Sequence, residues 1–380
     1  DGVQREGLVA NGQELTVSWD NKWYSRVTNY DDRWVVEMAI PFKTLRYKRK
    51  SGLNEWNFNV ARNDLVRNER SNWAPIPRNF GGSNLAFAGT LAWDEPPPNP
   101  GANVSVIPYL AAAADRDILN QKQPNHQANA GFDAKVGVTP SLNLDLTVNP
   151  DFSQVEVDRQ ITNLSRFDVL FPERRQFFIE NSDLFGTFGF ARINPFFSRQ
   201  IGLYKDQNTQ ETFQIPILAG ARLSGRLDRN WRVGLLNTQT ARDKLSTENG
   251  LVDVPGTNYS VAAVQRQLFS RSNVGAIFVN KQWAGGFNRV AGLDYNLASQ
   301  DGKWTGKAFY HRLFAPQQEN GQYAAALALA YNALRLNAQT GIESIGTGYQ
   351  PEAGFVPRNG IFRNASTASW IFYPKGSLGR

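Results

Sequence analysis

The sequence predicts an all-β protein in which a partial β-sandwich is followed by an antiparallel up-and-down transmembrane β-barrel with an internal plug-like insert. Three observations carry this. Alternation of apolar and polar residues recurs in segments of about ten residues, the length that a tilted strand needs to cross a bilayer. The connections between those segments are short and long by turns. One long connection, 150–216, contains a stretch that resembles neither a turn nor a strand.

The composition sets the bounds. With 41% hydrophobic and 20% charged residues, the chain falls among folded proteins and outside the fibrous and disordered classes. The longest apolar run, Ala324 to Tyr331, is too short for a membrane helix. A mean hydropathy of −0.45 still permits a barrel, because a barrel spreads its lipid face over alternate residues. Cysteine is absent, which excludes disulfides and thiolate metal sites. The chain opens at Asp1 with neither an initiator Met nor an apolar signal segment, so localisation is read from the strands. The net charge of +7 would suit nucleic acid, but the arginines are scattered over strands and turns instead of forming a stripe. No nucleic-acid partner is expected; arginines facing a water-filled lumen or the head groups of outer-membrane lipid explain the same charge.

Residues 1–93 form the first module and hold Trp19, Trp23, Trp34, Trp56, Trp73 and Trp93, six of the ten tryptophans. Trp34, Val36, Met38 and Ile40 share one face of a strand, and Trp56, Phe58 and Val60 repeat the pattern. Pro41 stops the first strand. Trp34 and Trp56 are in phase with aliphatic neighbours, which predicts burial between two sheets. Trp19, Trp23 and Trp73 stand beside Asp20, Asn21, Ser71 and Asn72, which suits a surface where an indole stacks on a sugar ring. These three are the candidate carbohydrate-binding residues.

Residues 94–103 are a stiff linker, with Pro96, Pro97, Pro98 and Pro100 favouring extended chain. From Val104 onward the alternation is sustained. Phe132, Ala134, Val136 and Val138 alternate with Asp133, Lys135 and Gly137, and Leu142, Leu144, Leu146 and Val148 alternate with Asn143, Asp145 and Thr147. The pattern recurs from Ile217, Trp231, Ala291, Trp304 and Tyr323, giving roughly twelve strands before Tyr373. Long connections are expected at 115–130, 150–216, 241–258, 282–288, 314–321 and 342–362, with short ones near Pro140, Arg229, Arg271, Gln300 and Asn332. Outer-membrane barrels sort their loops in this way, short on the periplasmic side. A soluble sandwich has no reason to do so, although a soluble all-β protein with a second covering sheet is the competing architecture. The first strand rises from the short-turn side, which puts the Trp-rich module in the periplasm.

Within the insert, Arg166, Glu173, Arg174, Arg175 and Glu180 sit among Phe167, Phe171, Phe177 and Phe178. Burying a phenylalanine stabilises by about 1.5–3 kcal/mol, and arginine facing lipid is unfavourable. A polar lumen with some apolar packing accommodates both. The expectation is that 171–180 lies inside or across the mouth of the barrel, with Arg174 and Arg175 paired to acids of the insert or to Asp133 and Asp145 on the wall.

Two resemblances follow from these segments. WVVEMAIPFKTLRY, from Trp34, and WNFNVARNDLVRNERSNWAP, from Trp56, resemble the second half of a carbohydrate-binding module family 9-like sandwich, which implies that its first strands precede Asp1. The run from Val148 to Asn181, then FFSRQIGL from Phe196, then GYQPEAGFVPRNGIFR from Gly348, resemble segments of an outer-membrane family of unknown function that carries such a module ahead of its barrel. The resemblance implies an outer-membrane protein, often labelled as sugar-binding or loosely as a hydrolase with no settled reaction. Binding or passage of poly- or oligosaccharide is the function expected. The run Lys375 to Arg380 has no closing strand ending in an aromatic residue, which predicts a barrel that continues past Arg380.

An enzyme reading would draw on Asp151, Glu156, Asp158, Glu173 and Glu180 as paired carboxylates for glycoside hydrolysis in an envelope-anchored enzyme. Carboxylates beside arginines are held ionised, which suits a structural network better than a general acid. His126 and His311, the two histidines, have no metal-ligand spacing. Asn149, Asp151 and Asp158 offer oxygen ligands, fewer than calcium takes. No phosphate loop or nucleophile elbow is present, and neither cofactor nor metal is expected.

Overall fold

The computed structural model describes residues 3–10, 14–16, 23–45, 47, 54–78, 80–82, 84–98, 104–115, 125–139, 141–150, 173, 175–206, 212–247, 250–316 and 320–373. In the first module β1 (Leu8–Ala10) pairs with β2 (Glu14–Thr16), and β3 (Tyr24–Asn29) with β4 (Trp34–Ala39). Then come β5 (Asn54–Phe58), β6 (Ala61–Asp64), β7 (Glu69–Asn72) and β8 (Gly89–Trp93), with β6 paired to β7 and β5 to β8.

These four ribbons form no larger sheet among the described residues, so the expected sandwich is not seen there. Among the described residues no second layer buries the face of β4. Trp34 is accordingly 51% exposed and Met38 60% exposed, where the alternation predicted a buried face. Trp56 is half-buried in an edge-to-face cluster with Phe42 and Trp93, tilted against Tyr47.

The rest of the fold is one antiparallel sheet of twelve strands, each beside its neighbours in sequence. It runs through β9 (Val104–Asp115), β10 (Asn125–Thr139) and β11 (Leu142–Val148). After the insert, with its small ribbon β12 (Leu203–Lys205) and β13 (Thr212–Gln214), come β14 (Ile217–Arg226) and β15 (Trp231–Thr240). A hairpin of β16 (Asp243–Thr247) and β17 (Gly250–Val254) stands outside the sheet. The sheet resumes with β18 (Thr257–Leu268), β19 (Ser272–Trp283), β20 (Gly286–Ala298) and β21 (Trp304–Phe314). It ends with β22 (Tyr323–Asn332), β23 (Leu336–Ile345) and β24 (Ile361–Trp370). Among the described residues β9 and β24 are not paired, so the sheet has two edges.

The connections at 139–142, 226–231, 268–272, 298–304 and 332–336 are short and share one end of the sheet. Those at 115–125, 148–217, 240–257, 314–323 and 345–361 are longer and share the other. One expected long connection, 282–288, is instead the tight turn Ala284-Gly285, which Gly285 makes possible at φ +96°. Because β9 pairs antiparallel with β10, Val104 lies at the short-turn end.

The two faces of the sheet differ. On one, Leu223, Leu235, Leu293 and Leu327 point away from the insert; Leu293 is 61% and Leu327 59% exposed. On the other, Arg222, Leu236, Val261, Ile277, Val290 and Phe309 are buried. The insert covers that inner face with a core of Phe177, Phe178, Leu184, Phe185, Phe188, Ile193 and Phe196. Two short helices, α1 (Gln176–Ile179) and α2 (Asp183–Gly186), present most of these rings. The wall makes room with glycine. A Cβ on Gly234 would stand 2.6 Å from the Phe185 ring, and one on Gly275 3.1 Å from the Phe188 ring.

Gly234→Val is therefore expected to destabilise the protein by about 1–3 kcal/mol through overpacking, and Phe185→Ala by about 3–5 kcal/mol through cavity formation. Denaturant unfolding of the two variants and of Gly234→Val/Phe185→Ala measures the coupling. The double variant should lose less than the sum.

Candidate functional site

Polar contacts hold the insert together and then fix it to the wall. At its start, Arg175 donates from Nε to Glu173 Oε1 at 2.8 Å and from Nη2 to Glu173 Oε2 at 2.7 Å. The same guanidinium donates to the carbonyls of Ser198 at 2.6 Å and Ile201 at 2.7 Å. It also lies 4.4 Å from the centre of the Phe178 ring. Burial by itself would raise the Glu173 carboxyl, but the hydrogen bonds and charge of Arg175 and the Ser198 hydroxyl outweigh it, and the net shift is downward.

Further along, Glu180 pairs with Lys135 of β10 and accepts from Asn143 Nδ2 of β11 at 3.0 Å. Asn181 donates to Ser224 at 2.9 Å, and Asp183 pairs with Arg232 of β15 at 2.8 Å. On the wall itself Asp145 pairs with Arg222 at 2.9 Å, both buried. Alternation explains the placement, since these side chains all occupy the phase opposite to the outward leucines.

The deepest contact centres on Asp294 of β20. Its Oδ2 accepts from the backbone N–H of Gly189 at 2.7 Å and faces Lys307 Nζ at 3.3 Å, while Oδ1 is 2.8 Å from His311 Nε2. Lys307 also donates to the Thr187 carbonyl. Tyr349, from the connection between β23 and β24, closes on His311 Nδ1 at 3.4 Å. Burial, then the charge of Asp294, pushes the Tyr349 hydroxyl up, so it stays protonated. The same connection grips the insert through backbone bonds between Asn194 and Phe355 and from Phe197 N–H to the Ala353 carbonyl. The segments beginning at Phe196 and Gly348, far apart in the chain, thus meet on one side of the core.

Between the insert, the wall and the first module lies a chamber of about 1830 Å³. Tyr47 and Trp56 line it from the module; Ser141, Arg226, Arg229 and Arg271 line it from the short-turn end. A Cβ built on Gly302, in another short turn, would be 3.6 Å from the Phe80 ring, which places the module at that same end.

The residues singled out in the sequence fall as follows. Trp73 is exposed against Phe58, and Trp23 is half-buried and donates to Glu6. Neither lines the chamber. Arg175 pairs within the insert, and Asp145 takes its partner from the adjacent strand instead of from an insert arginine, because Arg222 stands directly opposite it in register. Asp133 keeps a buried Oδ1 without a hydrogen bond among the described residues. Glu173 and Glu180 are both engaged by cations, and Asn149 donates its side-chain amide to the Ala130 carbonyl at 2.9 Å. Among the described residues no group of three His, Cys, Asp or Glu is placed to hold a metal. Trp19, Asp151, Glu156, Asp158, Arg166, Phe167, Phe171, Arg174 and the His126 side chain lie outside the described residues. Asp183, Arg222, Arg232, Asp294, Lys307 and His311 were not singled out as site residues by the sequence, although strand phase alone would have put those on β14, β15, β20 and β21 inside.

Asp294→Asn removes the carboxylate facing Lys307 and His311 and is expected to cost about 3–5 kcal/mol in denaturant unfolding; adding Lys307→Met should recover part of it. The Glu173 carboxyl has a folded value below its unfolded one, so its contribution is complete above the ordinary carboxylate range, near 4.5, and is lost as pH falls through the folded value. The stability advantage of wild type over Glu173→Gln should be constant at neutral pH and shrink below about pH 4.

No curated protein matches the chain. Similar solved structures include outer-membrane expressed OmpT of Vibrio cholerae, with 10% identity and a TM-score of 0.30 over 71% of this chain and 97% of that one. The in-vitro folded trimer form of the same protein has 10% identity and a TM-score of 0.29 over 70% and 98%. Its loop L8 deletion mutant has 13% identity and a TM-score of 0.25 over 64% and 93%. A family model described as a domain of unknown function, DUF5916, matches residues 100–375, the whole twelve-stranded sheet together with its insert. The chain belongs to the DUF5916 family.

Proposed function

We propose that the chain is an outer-membrane protein whose sheet is the wall of a transmembrane β-barrel and whose insert is its internal plug. The first module, similar to a family 9 carbohydrate-binding module, lies on the periplasmic side, and the chamber beneath the plug binds or passes a glycan. One observation carries the membrane reading: the apolar face of the sheet is the exposed one. Phe362 is 73% exposed and Leu293 61%. A band of this kind in water marks an interaction surface or an aggregation hazard; against lipid tails it is matched. Trp231, Trp304, Tyr331 and Trp370 cluster at the short-turn ends of their strands, as an interfacial girdle would. The glycan reading rests on Tyr47 and Trp56 at the chamber, whose rings can stack on sugar faces.

Expression in a Gram-negative host followed by fractionation tests the location. The protein should sediment with outer membranes, need detergent for extraction, and migrate faster on gels before boiling than after. A protein that stays soluble without detergent and shows no heat-dependent mobility rules the barrel out. Leu293→Arg, in the middle of the outward face, should lower folding stability in lipid vesicles by about 2–4 kcal/mol, read from urea titration.

A further inference from the structure

The charge around the chamber narrows the ligand class, and this step rests on the glycan reading above. Three of the six lining cations are already neutralised: Arg222 by Asp145, Arg232 by Asp183 and Lys307 by Asp294. Among the described residues the Arg229 side chain has neither a carboxylate nor a hydrogen-bond partner. The Arg226 guanidinium makes no hydrogen bond and lies in the field of both Arg232 and Asp183, which pair with each other, and Arg271 donates to the Ser299 carbonyl at 3.2 Å. Opposing them are Glu55, on the module side, and Asp228, whose Oδ1 accepts the N–H groups of Asn230 and Trp231. Deeper in, Arg222 lines the chamber at 1% exposure with its Nη1 lacking a hydrogen bond. The rim therefore holds surplus guanidinium donors, a group that binds carboxylates in bidentate fashion.

Their positions spread the charge along the rim. Arg226 ends β14 and Arg271 precedes β19, three strands away in the sheet order, roughly 14 Å at the usual spacing of neighbouring strands. A ligand with repeated negative charge matches both, and apolar ring faces would let it also use Tyr47 and Trp56. We infer that the chamber takes an acidic oligosaccharide, a glycan with carboxylates on successive sugars, in preference to a neutral one.

The test uses the whole chain in detergent and two probes, tetragalacturonate and the same tetramer with its carboxylates methyl-esterified. At 50 mM salt the free acid should bind at least tenfold more tightly than the ester, and the gap should close at 500 mM. Inorganic phosphate at millimolar concentration should not displace it. The variant Arg226→Gln/Arg229→Gln/Arg271→Gln should lose the preference, binding the acid no more tightly than the ester. Equal affinity for acid and ester overturns the charge inference and leaves the glycan reading standing; binding of neither overturns both. A preference that survives 500 mM salt, or displacement by phosphate, also overturns it, and both of these are read on wild type even if the triple variant fails to fold.

Discussion

A sheet that leaves its apolar face exposed must bury its other face with something, and here the chain supplies the filling from within. The inner face has glycines where the insert brings rings, Gly234 against Phe185 and Gly275 against Phe188. Everything else follows from that contact. The insert has to be long enough to return over the buried face of the sheet, and its backbone, too irregular to pair in the sheet, has to find polar partners on the wall. Buried backbone groups left unpaired are unfavourable, and Asp294 accepting from Gly189 N–H is one place where the wall meets that need.

The charged contacts define the position of the insert more than they stabilise it. A buried ion pair loses much of its Coulomb attraction to desolvation, whereas breaking one partner away is strongly unfavourable. Asp145 with Arg222, Glu180 with Lys135, Asp183 with Arg232 and Asp294 with Lys307 are spread over β10, β11, β14, β15, β20 and β21. A shift of the insert by one residue would separate Glu180, Asp183 and the Gly189 N–H from their wall partners together. The apolar rings supply attraction without direction, and the ions supply the register.

Strand phase made the wall legible in the sequence, because a period of two is a local property. Leu293 and Leu327 could be placed outward from their neighbours alone, and the sorting of long and short connections needed nothing more than counting. Partners were not legible in the same way. Asp145 was placed inward, yet nothing local distinguishes Arg222, seventy-seven residues on, from the insert's own arginines as its partner; only the pairing of β11 with β14 does. Trp34 failed for the opposite reason. Its alternation is that of a buried strand, but burial needs a second layer, and β3 with β4 has none among the described residues.

The packing also sets how firmly the insert is held. Phe177, Phe178, Phe185, Phe188 and Phe196 are all buried in one core with the wall. At about 1.5–3 kcal/mol each, their exposure would cost on the order of 10 kcal/mol before any ion pair is broken. Thermal expulsion of the whole insert would then be populated at roughly one part in ten million. The backbone bonds from Asn194 and Phe197 to the connection after β23 add to that hold. The less tightly filled flank is that of β22 and β23, whose inner faces present Ala328, Ala330 and Gln339 to the open space of the chamber instead of to the phenylalanine core.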